Sequence, residues 1–383
     1  MSVTTPAGFR AAGTTAGLKP SGRPDVALVV NDGPDRHAAA VFTTNRVEAA
    51  PVTWSRQVVS DGRADVVVLN SGCANACTGP EGFEDTHRTA EHVAEVLGVS
   101  SGDVVVCSTG MIGERLPMER LLAGTDAAAS ALAADGGAAA AESIMTTDTH
   151  PKEAVRHGEG WSVGGMAKGA GMLAPALATM LVVLTTDAVT TPADLDAALR
   201  EACRLTFDRV DSDACMSTND TVVLLASGAS GVRASREDLT LLVHEVSADL
   251  ARQLVGDAEG AQHDVEVEVV GAASEDDAVD VARTISRSAL FKCAIFGGDP
   301  NWGRIVSAVG TTSAEFDPRA LDVTINGVQV CRATGVGEDR SRVDLSGRHV
   351  HVVVDLHAGD ASGTVWTNDL THDYVHENSA YST

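Results

Sequence analysis

The apolar residues of this chain gather in short unbroken runs, and that limits what it can build. Val26–Val30, Ala39–Thr43, Val66–Leu69 and Val104–Cys107 each have the length and the small or β-branched character of a short buried strand. Leu181–Leu184 is of the same kind, and none of these runs approaches the roughly 20 apolar residues of a membrane-spanning helix. Helix signals lie between the runs. Phe83–Leu97 carries apolar residues at Phe83, Ala90, Val93, Ala94 and Leu97 and stops at Gly98. Thr191-Pro192-Ala193-Asp194 is a capping box with proline at the first helical position, and Ser235 and Ser274 open similar segments with Asp238 and Asp277. Val265, Val267 and Val269 alternate with Asp264, Glu266 and Glu268, and Asn326-Gly327 between Val323–Ile325 and Val328–Val330 predicts a hairpin. The alanine-rich run from Ala127 to Ala141 predicts a solvated helix pair broken at Asp135-Gly136-Gly137. Antiparallel pairs mixed with helices indicate α+β or a layered α/β sandwich. No fixed repeat shows, and no Pro/Ser/Gly linker marks a domain boundary.

Composition narrows the function. A length of 383 residues suits two domains. With 28 Lys+Arg against 53 Asp+Glu the net charge is −25, a surface that repels phosphate backbones and anionic lipid heads. Aromatic residues make up 3%, too few for a base-stacking platform. The start, MSVTTPAGFR, has no basic segment followed by an apolar one, so no signal peptide is expected. Seven scattered cysteines, with Cys73 and Cys77 four apart, indicate reduced, mostly buried thiols and a cytoplasmic protein.

The densest glycine cluster runs from Gly164 to Pro175 and includes Lys168. Gly169, Gly171 and Ala174 match the dinucleotide pattern G-x-G-x-x-A, with Asp187 near the ribose-acid spacing. That pattern must open a helix, which Pro175 and the β-rich Met180–Thr186 deny. There is no G-x-x-x-x-G-K-[ST] and no H-E-x-x-H; His349 and His351 share a strand face without an evident third ligand. Ala178-Thr179 directly before an apolar strand suits another chemistry. A threonine hydroxyl that attacks the preceding carbonyl and is then freed by water becomes a chain terminus whose own α-amine serves as base.

The blocks Gly165-Met166-Ala167-Lys168-Gly169-Ala170-Gly171-Met172, Pro175 and Ala178-Thr179-Met180 resemble the signature of the ornithine acetyltransferase (glutamate N-acetyltransferase, ArgJ) family. So do Val106–Gly113, Ile144–Thr149, Ser217–Thr221, Gly298–Arg304 and Glu377–Tyr381, in family order over nearly the whole chain. The resemblance implies an αββα-like sandwich of N-terminal-nucleophile style, akin to the DmpA fold. It implies self-cleavage between Ala178 and Thr179, giving an α chain of residues 1–178 and a β chain of 179–383. Thr179 would be the nucleophile; Thr109 and Gly110 would stabilise the oxyanion; Thr146, Lys168, Thr179, Glu259, Asn378 and Thr383 would line the substrate site. The implied reaction is ping-pong transfer of acetyl from N2-acetylornithine to glutamate, in arginine biosynthesis, without a cofactor. The implied assembly is an α2β2 heterotetramer, with neither nucleic acid nor membrane as partner. Whether acetyl-CoA also serves as a donor substrate is left open, and with it a second, amino-acid N-acetyltransferase activity.

Some residues keep a second reading. Gly110 and Gly171 also suit turns, and Asp299-Pro300-Asn301-Trp302-Gly303-Arg304 suits a helix start with Asp299 as cap and a structural or interface role. The stretch Asp257-Ala258-Glu259-Gly260-Ala261-Gln262-His263 keeps Glu259 and departs from the family pattern at Gln262 and His263, a difference that bears on fine substrate preference and not on the nucleophile. The competing functions are an amidase or aminopeptidase of the same style, in which water takes the acyl group, an uncut binding homologue, and a paralogue with another acceptor.

Overall fold

The computed structural model describes residues 2–174 and 180–380. The chain divides into two compact units: Met1–Asp208 with Cys215–Asp257, and Arg209–Ala214 with Ala258–Tyr381. It passes between them at three points with no linker, which is why composition gave no boundary. The expected division at 178/179 falls within the sequence of the first unit and is a chain break proposed on chemistry, not a border between folds.

In chain order the first unit contains β1 (Phe9–Thr14), β2 (Val26–Asn31), β3 (His37–Phe42), α1 (Ala50–Val58), β4 (Val66–Cys73), α2 (Gly79–Leu97), β5 (Val104–Met111), α3 (Met118–Ser130) and α4 (Gly137–Ser143). It continues with β6 (Lys152–His157), β7 (Ser162–Lys168), β8 (Leu181–Thr186), α5 (Pro192–Leu205), β9 (Thr221–Ala226) and α6 (Arg236–Gly256). Two sheets form, ordered β1-β2-β4-β5 and β3-β9-β8-β7-β6. Successive side chains on a strand face opposite ways, so a wholly apolar run serves a sheet covered on both faces. Ala27, Val29, Val67, Leu69, Val105 and Cys107 share one core with Ala38, Phe42, Met166, Val183 and Val223 of the other sheet. The alternate residues Val26, Leu28, Val66, Val68, Val104 and Val106 pack against Ala90 and Val93 of α2 and Leu121 of α3. On the second sheet α5 packs against β3, and α6 against β6 and β7. The unit is thus an αββα sandwich, the layered α+β architecture expected.

The second unit contains β10 (Asp264–Ala272), α7 (Glu275–Ser286), α8 (Ala289–Phe296), α9 (Trp302–Val309), β11 (Asp322–Ile325), β12 (Val328–Arg332), β13 (Gly335–Val336), β14 (His349–Asp355), β15 (Ala361–Asn368) and α10 (His372–Ala380). Its sheet runs β13-β12-β11-β14-β10-β15. Val265, Val267 and Val269 enter a core with Ala278, Ala282 and Ile285 of α7, while the alternating acids stay partly exposed. The β11–β12 hairpin turns at Asn326 and Gly327 with φ of 45° and 82°, both left-handed, as a tight primed turn requires.

The expected caps form: Thr191, Ser235 and Ser274 accept from the backbone N–H groups of Asp194, Asp238 and Asp277. Three readings change. The alanine-rich helices are not a solvated pair: Ala128, Ala140 and Ala141 are buried, and Gly13 brings the backbone of β1 so close that a Cβ there would overlap the Ala139 carbonyl of α4. Asn301, not Asp299, caps α9, its side chain accepting from the Arg304 N–H, because Pro300 lies one residue before the cap. Finally, β5 runs four residues past Cys107 and β4 four past Leu69, since polar residues with buried partners continue the ladder.

Candidate active site

The extension of β5 places Thr109 and Gly110 at a strand end. Thr109 is buried, and Gly110 is paired with Gly72 of β4 at the point where the parallel register slips. Gly110 has φ of 126°, and a Cβ on it would overlap the Gly72 carbonyl carbon and lie 2.6 Å from the Cys73 nitrogen. Both neighbours are backbone and cannot swing away, so only glycine fits here. Gly110 thus lies in the ladder at the end of β5 and not in a turn, its backbone against that of Gly72.

Lys168 ends β7, 1% exposed, and its Nζ donates to Thr109 Oγ1 at 3.2 Å. An ammonium so deep needs counter-charge. Asp148, inside the Ile144–Thr149 block but not among the expected site residues, lies in the same network. Its Oδ1 accepts from the Gly169 N–H at 2.7 Å and from Lys152 Nζ at 2.6 Å, and its Oδ2 accepts from the Thr146 N–H at 2.9 Å. Burial would raise the Asp148 carboxyl; Lys168, Lys152 and the Gly169 N–H outweigh it and hold it far below the usual carboxylate range. Asp257 closes the group, accepting from Lys152 at 2.6 Å and from the Thr149 N–H at 3.0 Å. One carboxylate thus joins the Thr146 turn to the Lys168-Gly169 turn.

Asp148→Asn should cost about 3–5 kcal/mol, because Lys152 and Lys168 stay buried with one anion fewer. Urea denaturation at pH 7 measures this, and a loss below about 1 kcal/mol would mean that the carboxylate is not their counter-charge. Its folded-state pKa lies below the unfolded value of about 3.9. The contribution is therefore complete above that pH and is lost as pH falls toward the folded value, so the variant's stability should fall less steeply in acid.

The segment Ser217–Thr221 ties two strands together. Asn219 Nδ2 donates to the Ser108 carbonyl at 2.9 Å and to the Ala74 carbonyl at 2.6 Å, fixing the residue before Thr109. Asp220 Oδ1 accepts from the Met180 N–H at 3.0 Å, and the Thr221 N–H donates to the Met180 carbonyl at 3.1 Å. Asp220 is wholly buried, and burial pushes its carboxyl well above the usual range despite Met180 and Lys168. Asp220 and Asn219 were visible in sequence only as members of a block; their partners lie 40 and 111 residues away. Ala178, Thr179 and Thr383 lie outside the described residues.

Glu259 and Asn378 belong to the second unit. Asn378 Nδ2, on α10, donates to Glu259 Oε2 at 3.0 Å. Gly260 permits this, with φ of 62° and the Tyr374 backbone where a side chain would stand, and Thr371 Oγ1 donates to the Gly260 carbonyl at 2.7 Å. Glu259 borders a cavity of about 210 Å³ with Ser212, Lys292, Asn368 and Tyr374. The departures Gln262 and His263 are absorbed locally: both N–H groups donate to Asp369 Oδ1 at 3.0 Å, and His263 Nδ1 lies 2.7 Å from Asp369 Oδ2. His351 pairs with Glu268 at 2.9 Å while His349 is exposed. The seven cysteines are free thiols, four of them buried, and burial pushes Cys107 up to about 12. Among the described residues no helix is long and apolar enough to cross a membrane.

A hydroxyl and a glycine amide at one strand end, beside a buried ammonium, can meet a carbonyl oxygen that gains charge, which is equipment suited to an acyltransferase. The ArgJ family profile matches residues 10–383. The arginine biosynthesis bifunctional protein ArgJ of Thermobifida fusca is 63% identical over 383 residues, and that of Streptomyces coelicolor 64% over 382, each match covering 100% of both chains. Among solved structures, ornithine acetyltransferase from Mycobacterium tuberculosis complexed with ornithine is 57% identical, with a TM-score of 0.45 over 45% of this chain and 94% of that one. The chain belongs to the ArgJ family and is an acyltransferase of arginine biosynthesis.

Proposed function

We propose that the chain transfers an acetyl group from N2-acetylornithine to glutamate through an ester on Thr179, after cutting itself between Ala178 and Thr179. The observation that carries this reading is the Lys168–Thr109 contact at 3.2 Å beside Gly110. In maturation the Thr179 hydroxyl attacks the Ala178 carbonyl, the acyl group moves from nitrogen to oxygen, and water cleaves the ester. This leaves the carboxylate of residue 178 and the α-amine of residue 179. In transfer the hydroxyl attacks the acetyl carbonyl carbon and gives its proton to that α-amine. The amide C–N bond breaks, and the proton passes to the departing amine of ornithine. The α-amine of glutamate then attacks the ester and the hydroxyl is restored. No water is consumed, and no cofactor is required for the exchange.

Thr109 Oγ1 and the Gly110 N–H take the role of oxyanion donors, each contributing about 3–4 kcal/mol to the barrier change. Lys168 and Thr146 serve the amino-acid portion, while Glu259, Asn378 and Thr383 complete the substrate site. Charge pairing of Lys168 with a carboxylate and Glu259 with the ornithine ammonium fits the partners of opposite sign. The same reading includes an α2β2 assembly in the cytoplasm, and acetyl-CoA as a second donor that would give a bifunctional enzyme. Incubation with N2-acetylornithine and labelled glutamate tests the exchange. Labelled N-acetylglutamate and ornithine should appear one to one; free acetate without labelled product would make the protein a hydrolase instead.

A further inference from the structure

We propose that Lys19 and Arg23, on the loop joining β1 to β2, form beside Lys168 an anion subsite that takes the side-chain carboxylate of the dicarboxylic acceptor. This rests on the exchange proposed above. The loop is built rather than slack: Asp25 is wholly buried, its Oδ1 accepting from the Ala16 N–H at 2.6 Å and its Oδ2 from the Leu18 and Lys19 N–H groups at 2.6 and 3.1 Å. Lys19 lies against Gly72, beside the strand end that carries Gly110. A Cβ on Gly72 would lie 3.1 Å from the Leu18 carbonyl oxygen and 3.3 Å from Lys19 Cγ, and Gly72 is the ladder partner of Gly110. Lys19 Nζ donates to the carbonyls of Pro24 at 2.7 Å and Ser143 at 3.4 Å, while Arg23 Nη2 lies 3.6 Å from the sulfur of Met145, the residue before Thr146.

Two cations therefore flank the segment that carries Thr146, in a chain whose net charge is −25. Among the described residues their side-chain contacts are to carbonyl oxygens and a thioether, not to carboxylates. Asp25 is occupied by three amides, and Asp148 by Lys152, two amides and the attraction of Lys168. The crowding is felt: partial burial first, then Arg23 and Lys168, bring Lys19 down to about 8 against the opposing pull of Asp25 and Asp148. An incoming carboxylate relieves like-charge repulsion and accepts from an ammonium and a guanidinium at once. N2-acetylornithine bears one carboxylate and a side-chain ammonium that these cations repel. Glutamate bears two carboxylates, and the second needs a place of its own.

Titration calorimetry on the full protein with L-glutamate and L-glutamine at pH 7 reads the subsite without depending on turnover. The parent should bind glutamate at least about tenfold more tightly than glutamine. Lys19→Met should bring the ratio within about twofold, and Arg23→Gln, at an exposed position that folding does not need, should lower it in the same direction. Raising the pH from 7 to 9.5 should erode the parent's preference as Lys19 loses its proton. A parent that does not distinguish the two ligands, or a preference that survives both substitutions, would overturn the subsite. Acetyl transfer by the parent is assayed separately; its absence alongside an intact glutamate preference would sink the exchange and leave the subsite standing.

Discussion

A Thr179→Ala chain is expected to stay one polypeptide of 39.4 kDa and to transfer no acetyl group, a loss on the order of 10⁵–10⁶ in kcat. One oxygen atom is asked to act twice, first on its own backbone and then on the substrate, so its removal stops both. The scaffold gives no reason for such a chain to misfold. Met180 is held by the Asp220 carboxyl through its N–H and by the Thr221 N–H through its carbonyl, and β8 pairs with β7 and β9 from Leu181 onward. Thr179→Ser keeps the hydroxyl and should still be cut. Denaturing electrophoresis separates the outcomes, and two fragments from the alanine chain would place the break elsewhere.

Thr109→Val should fold as the parent does and lose roughly 10²–10³ in kcat with little change in KM. Valine keeps the branched shape that β5 favours and deletes only the hydroxyl, at a site 2% exposed. Lys168 loses a partner at 3.2 Å but keeps the attraction of Asp148, so stability should fall by no more than about 1–3 kcal/mol. Steady-state kinetics with both substrates, beside a melting curve, checks the split. An unchanged kcat would remove Thr109 from the oxyanion role. The same test is less clean at Gly110, where even a methyl group collides with the Gly72 backbone, so substitution there disturbs the strand end before it disturbs the chemistry.

Much of the sandwich was legible because its strands are apolar on both faces, as Val26–Val30 and Val66–Leu69 announce, and because three helices begin at side-chain caps three residues from their partners. Local pattern failed where packing decided. Alanine and glycine between 127 and 141 suggest a solvated surface, yet their smallness lets α4 lie directly on β1. The motif blocks led to Thr109, Lys168, Glu259 and Asn378 by resemblance, and spacing could not have joined them. The pairings that hold the first two had no signal in local spacing: Lys152 reaches Asp257 across 105 residues, and Asn219 reaches Ser108 across 111. Lys19 is likewise an ordinary loop lysine until Gly72 brings the strand beside Gly110 under it.

Mass spectrometry of the freshly purified protein, brief exposure to N2-acetylornithine included, bears most directly on the acetyl-threonine account. It should find two polypeptides ending at residue 178 and starting at residue 179, the second alone gaining about 42 Da, the mass of an acetyl ester, on its first residue. A single uncut chain that nevertheless forms N-acetylglutamate, or an acetyl group resident on any other side chain, would contradict it.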